Sequence, residues 1–282
     1  MSQLAEPREL ARPGRVVSTV PGASRSRGLL LMLAPVATLV VVFGLWAAAS
    51  SANGGTGPAE LFAALGRLWA TGELVQSVAT SLGRGVPGFL LSVLVGTVLA
   101  LVLSASVWLR AAVAPYMTFL LTLPTVAWVP VAILFFGVTD ATVYFVVLTG
   151  AVPAIVNGLL AGVDQIQPLH RKVGRVLGAG TWDTALHIVL PAALPSYISG
   201  LRQGWAFCWR ALMASEIIAG GQQLGLGLGT LLQRGREVDD IGGVMATILL
   251  ILVVGVVIEV LVFGPLERRL LRRRGLLTGG SR

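Results

Sequence analysis

The sequence predicts an all-α protein, a polytopic bundle of about six transmembrane helices. Three observations predict it. Of the 282 residues, 55% are hydrophobic and only 12% are charged, whereas a soluble domain carries about 25% charged residues. So few charges cannot coat a soluble globule of this size, and the mean hydropathy of +0.83 agrees. Second, apolar runs of about 20 residues, the length that crosses a hydrocarbon core, recur along the chain. Third, the basic residues flank those runs: Arg8, Arg12, Arg15, Arg25 and Arg27 precede the first, and Arg268, Arg269, Arg272, Arg273 and Arg274 follow the last. A net charge of +8 on a soluble protein would raise nucleic-acid binding. Here the positions speak first for membrane topology and second for anionic lipid heads, with no nucleic acid.

Residues 1–28 read as a flexible cytoplasmic tail, 29–264 as the membrane domain, and 265–282 as a basic cytoplasmic tail. The first span, Leu29–Ala49, follows a long polar stretch and reads as a retained helix rather than a cleaved signal. After a Gly/Asn/Pro-rich break, Ala59–Thr80 is amphipathic, with Glu60, Arg67, Trp69 and Glu73, and is expected at the interface. The second span is Ser81–Ser104. The third, Ala111–Phe136, carries Pro115, Pro124 and Pro130, which remove backbone donors and bend it. The fourth is Ala141–Gly162, the fifth Ala192–Ala219 and the sixth Ile241–Phe263.

With the N-terminus inside, six spans return the C-terminus inside. The inner segments then collect both arginine clusters plus Arg110, Arg171, Lys172 and Arg175. The outer ones hold Asp140, Glu237, Asp239 and Asp240 against Arg67, Arg234 and Arg236. That asymmetry has the sign expected of a multi-pass protein of the inner or plasma membrane with both termini cytoplasmic.

The interval 163–190 is too polar to span and too regular for a slack linker. Pro168 suits a helix start, and Leu169, Val173, Val176 and Leu177 share an apolar face. Gly178 and Gly180 end that helix, Thr181 caps a second, and Pro191 and Pro195 open the fifth span. Such a rigid element, decorated by Arg171, Lys172 and Arg175, is able to transmit a push from a soluble partner. It is equally able to do no more than cover helix ends.

In the fifth span, Arg202, Trp205, Trp209, Leu212 and Glu216 recur at spacings of three and four and share one face, with Arg210 on the neighbouring face. Charges in a span cost several kcal/mol when they face lipid, so that face points inward. Two readings stand. In one, the stripe lines a translocation pathway in which arginine attracts an anion and the tryptophan rings gate. In the other, Arg202 snorkels to the interface and Glu216 pairs with a neighbouring helix. Glu259 in the sixth span reads as a bundle contact or a subunit interface.

Other chemistry is excluded. One cysteine, Cys208, and two histidines, His170 and His187, build neither a disulfide nor a zinc site. The glycine-rich Gly220–Gly229 lacks the Gly-Lys-Ser/Thr of a phosphate loop and reads as a turn. No nucleophile elbow or paired-carboxylate site is present, so no residue is assigned a catalytic role.

Gly174-Arg-Val-Leu-Gly-Ala-Gly180 followed by Leu190-Pro-Ala-Ala-Leu-Pro195 resembles the EAA loop of ATP-binding-cassette importer permeases. Around it stand Thr122-Leu-Pro124, Trp128-Val-Pro130, Phe135-Phe-Gly137, Ser199-Gly-Leu-Arg202, Ala214-Ser-Glu216, Leu224-Gly-Leu-Gly227 and Leu266-Glu-Arg-Arg269. Their order from about Ser81 to Arg274 is similar to the nitrate/sulfonate/taurine branch of those permeases. The resemblance implies the type I importer fold. It also implies a coupling helix docked on a cytoplasmic ATPase through Leu169, Arg171, Lys172, Val173, Arg175, Leu177, Gly178, Ala179 and Trp182. Lys172 departs from the pattern, which often has Glu there.

The implied partners are a second permease copy or paired permease, two cytoplasmic cassette ATPases that bind ATP and Mg, and an extracytoplasmic binding protein. The chain itself is expected to carry no cofactor. The implied cargo is a small anion such as a sulfonate, taurine or nitrate. The rival reading is an ion-coupled secondary transporter or channel, in which the regular loop at 163–190 has no purpose.

Overall fold

The computed structural model describes residues 25–53, 55–166, 190–220 and 224–273, together with 176, 180, 183 and 187. All regular elements among them are helical, and the chain divides into two compact units, Met1–Gly55 and Thr56–Arg282. In the first unit, α1 (Arg25–Asn53) contains the predicted first span.

The second unit opens with α2 (Pro58–Ala70). Proline in its first turn loses no helical bond, and Glu60 and Arg67 sit at the ends that suit their charge. The helix stops at Thr71, and Gly72, at φ 77°, turns the chain into α3 (Glu73–Ala105). The single interfacial stretch expected through Thr80 is thereby corrected. A left-handed backbone position that glycine adopts without strain divides it, and the second span begins at Glu73.

The third span is also corrected. Instead of one kinked helix there are two, α4 (Val107–Thr122) and α5 (Trp128–Phe136), at 96° to each other. Ser106 caps α4, its hydroxyl accepting from the Leu109 amide at 3.3 Å. Leu123 precedes Pro124 and is driven out of the helical region, to φ −78° and ψ 131°. A 3-10 turn, Thr125–Ala127, then restarts the helix with Pro130 in the first turn, where its missing donor is not needed.

The remaining helices are α6 (Asp140–Asp164), α7 (Leu190–Ala219), α8 (Leu228–Glu237) and α9 (Ile241–Ile258). A π-turn at Glu259–Phe263 leads from α9 into α10 (Gly264–Arg273). Among the described residues, three helical stretches are long and apolar enough to cross a membrane: Glu73–Ala105, Asp140–Asp164 and Ile241–Leu270. The bent α4–α5 pair makes a fourth when taken as one span. Of the other two predicted spans, α1 shows an apolar stretch at Val40–Ala52, and α7 is 30 residues long but carries Arg202, Arg210 and Glu216.

The centre of the unit is α6. Its apolar stretch is 67% buried, against 28% for α3 and 17% for Ile241–Leu270. It packs on α7 backbone to backbone. A Cβ at Gly158 would overlap the Cα of Gly200, one at Gly162 would lie 2.6 Å from the Ala193 carbonyl oxygen, and one at Gly204 would lie 2.8 Å from Ile155 Cγ1. Ala154, Gly158 and Gly162 on α6 face Ser196, Gly200 and Gly204 on α7, each series spaced by four. Such small residues let helices approach where lipid supplies no hydrophobic drive between them.

Gly158→Leu and Gly200→Leu are therefore expected to lower the melting temperature of the detergent-solubilised protein by more than about 5 °C, as overpacking costs about 1–3 kcal/mol. Gly66→Ala, where an added Cβ meets nothing within 4 Å, should leave it unchanged. Scanning fluorimetry on the three variants checks this.

Candidate functional site

The face of α7 that carries Trp205, Trp209, Leu212 and Glu216 points into the chain's own bundle. Trp205 is 4% and Trp209 7% exposed, and their rings stack at 6.0 Å. Phe89 of α3 meets Trp205 edge-on at 5.3 Å. Trp209 donates its indole N–H to the Ile251 carbonyl of α9 at 3.2 Å. Arg202, nearer the start of α7, donates to Glu259 in the π-turn and, at 3.2 Å, to Glu267 on α10. Arg202 thus ends among carboxylates, a pairing that neither reading of this face gave it, while Glu216 is paired across helices.

Glu216 is fully buried. Its carboxylate accepts from the Ser81 hydroxyl at 2.7 Å, the Gly229 amide at 2.9 Å and the Arg84 guanidinium at 3.4 Å. The Ser81 hydroxyl in turn accepts from the Leu228 amide at 2.8 Å. Arg84 also donates to Asp140 at 2.7 Å and to the Leu224 carbonyl. The first two amides of α8 thus close on the hub at the helix end that favours negative charge.

The glycine-rich segment follows from this. A Cβ at Gly227 would lie 2.6 Å from the Glu216 carboxyl group, and one at Gly229 would lie 2.5 Å from Glu216 Cβ. Gly225, at φ 69°, makes the turn. Backbone rests directly on the acid, and a side chain at 227 or 229 would push it off.

Sequence reasoning missed Ser81 and Arg84. The available signal was a lone arginine inside an otherwise uncharged second span, which required a carboxylate somewhere in the bundle. Nothing local says that the carboxylate lies 132 residues further on.

Arg210 differs from the other four expected path residues. It is exposed, donates to the Ala206 carbonyl one turn back at 3.0 Å, and lies over the Phe207 ring at 4.6 Å. It forms no ion pair among the described residues. By helix rise it sits about 12 Å from Arg202 and about 9 Å from Glu216 along α7, so it lies between them, about two-thirds of the way along the helix. It borders a groove of about 350 Å³ with Val126, Trp209, Met213, Ala214 and Ile251. Val126 belongs to the turn at the break of the third span, so the break and the arginine border one open, apolar-walled space. Such a space can hold an anion by charge with little directional competition.

Most of the loop lies outside the described residues, including Leu169, Arg171, Lys172, Val173, Arg175, Leu177, Gly178, Ala179 and Trp182. Of its neighbours, His187 is exposed and its Nδ1 lies 3.2 Å from the Asp183 carbonyl oxygen. At that end of the bundle Arg110 of α4 pairs with Asp164 of α6, one contact being 2.7 Å.

Residues 88–272 match the family described as binding-protein-dependent transport system inner membrane component. The chain belongs to this family. The inner membrane component is similar to the taurine transport system permease protein TauC of Escherichia coli, 28% identical over 197 residues and 70% of each chain. It is 27% identical to the putative aliphatic sulfonates transport permease protein SsuC of Bacillus subtilis, over 262 residues and 92% of each chain. With the nitrate import permease protein NrtB of Leptolyngbya laminosa it shares 30% identity over 152 residues, so it spans about half that relative's length, 54%. The matched region holds α6, α7 and the glycine turn. Ser81 and Arg84 precede it.

Arg84→Ala leaves a buried carboxylate without its cation, a change that costs about 3–5 kcal/mol. It should sharply lower the protein's yield and melting temperature in detergent. Arg84→Met combined with Glu216→Met should be less damaging than Arg84→Ala alone. Melting curves of the three proteins decide it, and equal losses would remove the pairing from its central place.

Proposed function

We propose that this inner membrane component is the permease subunit of an ATP-binding-cassette importer that carries a small anion. The observation that carries the reading is Arg210, exposed and without an acidic partner among the described residues, inside the fifth span and beside the break of the third. A charge at the centre of a membrane helix costs about 2.5–3.5 kcal/mol or more against lipid. A surface that carries it stays clear of the hydrocarbon and faces a partner or water.

Two copies related by a two-fold axis would place two such arginines on one path, and symmetric pairing is the usual form of such assemblies. Relatives named for the transport of nitrate, taurine and aliphatic sulfonates are consistent with cargo of this charge and size.

In this reading both termini are cytoplasmic. The loop at 163–190, through Leu169–Trp182, docks on two cassette ATPases that hold the ATP and Mg, while this chain carries no cofactor of its own. A binding protein delivers cargo at the opposite face, where the Glu216 hub and the glycine turn lie. ATP binding draws the two ATPases together, the loops follow, and the paired bundles expose Arg210 alternately to the two sides. Arg210 holds the anion by charge. The buried Trp205 and Trp209 keep α7 rigid as it moves.

In proteoliposomes with the partner ATPase and binding protein, Arg210→Gln should lower uptake more than tenfold with ATPase assembly intact, and Arg210→Lys should keep part of it. Gly178→Asp should leave ATP hydrolysis running while uptake stops. Uptake driven by an ion gradient alone, without the ATPase, would overturn the reading.

A further inference from the structure

The end of the last span carries a surface that the transport reading does not use. The continuous helical stretch Ile241–Leu270 is 30 residues long, about 45 Å at 1.5 Å per residue. A hydrocarbon core takes up about 30 Å, and the bilayer with its headgroups about 40–45 Å. A stretch that enters at Ile241 therefore leaves the hydrocarbon near the π-turn and crosses the headgroup layer along α10.

The side chains change at that depth. Val260, Leu261 and Val262 are exposed apolar residues, 58%, 68% and 53%. One to two turns on, Arg268, Arg269 and Arg272 are exposed as well, and none is in an ion pair among the described residues. The one acid on α10, Glu267, is drawn toward α7 by Arg202, which also holds Glu259. The internal pairing removes the only charge that would neutralise the outer side of α10. What remains is an apolar band at acyl-chain depth topped by three free guanidinium groups at headgroup depth.

We propose that this surface is a binding site for anionic phospholipid, with the acyl chains along Val260–Val262 and the phosphate held by Arg268, Arg269 and Arg272. Guanidinium suits phosphate because its planar fork donates in pairs, and basic residues beside a span attract anionic lipid within a Debye length. Arg110, by contrast, is already matched by Asp164. By holding a lipid, α10 would keep its register against α7 through Arg202 and Glu267.

The test uses the full chain purified in detergent and titrated with phosphatidylglycerol or phosphatidylcholine, with bound lipid counted by native mass spectrometry. The wild-type protein should retain phosphatidylglycerol in preference to phosphatidylcholine. The triple variant R268Q/R269Q/R272Q should lose that preference by about tenfold or more. Glu267→Gln, which leaves the three arginines in place, should keep it. Equal retention of the two lipids by the wild type, or an unchanged preference in the triple variant, overturns the proposal. So does a triple variant that keeps its lipid preference but no longer co-purifies with a cassette ATPase, because the arginines would then serve a protein surface.

Discussion

The buried carboxylate of Glu216 is the constraint around which one end of the bundle is arranged. An isolated ionised carboxylate in a low-dielectric interior is tolerated only when it is paired and hydrogen-bonded. Here one side chain draws in a hydroxyl from Ser81, a guanidinium from Arg84 and an amide from Gly229. Those groups belong to α3 and to the first turn of α8, so satisfying one charge on α7 sets the register of three elements. Arg84 then reaches the start of α6 through Asp140. The glycines at 227 and 229 follow from the same requirement, since the backbone must lie against the acid. An arrangement so dependent on one group is strong while complete and costly to leave half made.

The rest of the unit is held differently. Between α6 and α7 the contact is made by absence, with Gly158 against Gly200 and Gly162 against Ala193. In lipid, dispersion between closely approaching backbones replaces the hydrophobic drive of water. The polar hub and the glycine seam share α7, one at its C-terminal end and one along its first half. That helix is fixed on the side facing α6 and α3 and left open on the side of Gln203 and Arg210. Its two sides therefore differ in packing, one buried against neighbours and one exposed.

What was legible in the sequence follows the same division. Composition and apolar runs placed the helices because lipid imposes their length and period. The spacing of Arg202, Trp205, Trp209 and Glu216 grouped them on one face, of which Trp205, Trp209 and Glu216 are buried while Arg202 is exposed and pairs with Glu259 and Glu267. Periodicity reports only which side avoids lipid, and a water path and a neighbouring helix both satisfy that. Leu123-Pro124 signalled a bend, but a kink and a 96° break need the same proline. At the break, the Thr125 methyl packs where a side chain at Gly150 would be, a tertiary contact that no local pattern shows. Gly72 marked the end of α2 and was passed over because the amphipathic pattern runs on across it. Arg84 was missed because its partner is remote in sequence, and no local pattern encodes a contact of that kind.

The three charged residues of α7 then read as one series. Arg202 is neutralised by Glu259 and Glu267, and Glu216 by Arg84 and the amides of the glycine turn. Glu216 lies in the last turn of α7, and Arg202 lies near its middle, where the π-turn and α10 reach it. Arg210 stands between them, on the side away from α6 and α3 and beside the turn that carries Val126. Two of the three charges are thus balanced by other elements of the same chain, and among the described residues Arg210 alone is not. The balance of charge on α7 is left open at that one position, on the exposed side of the helix.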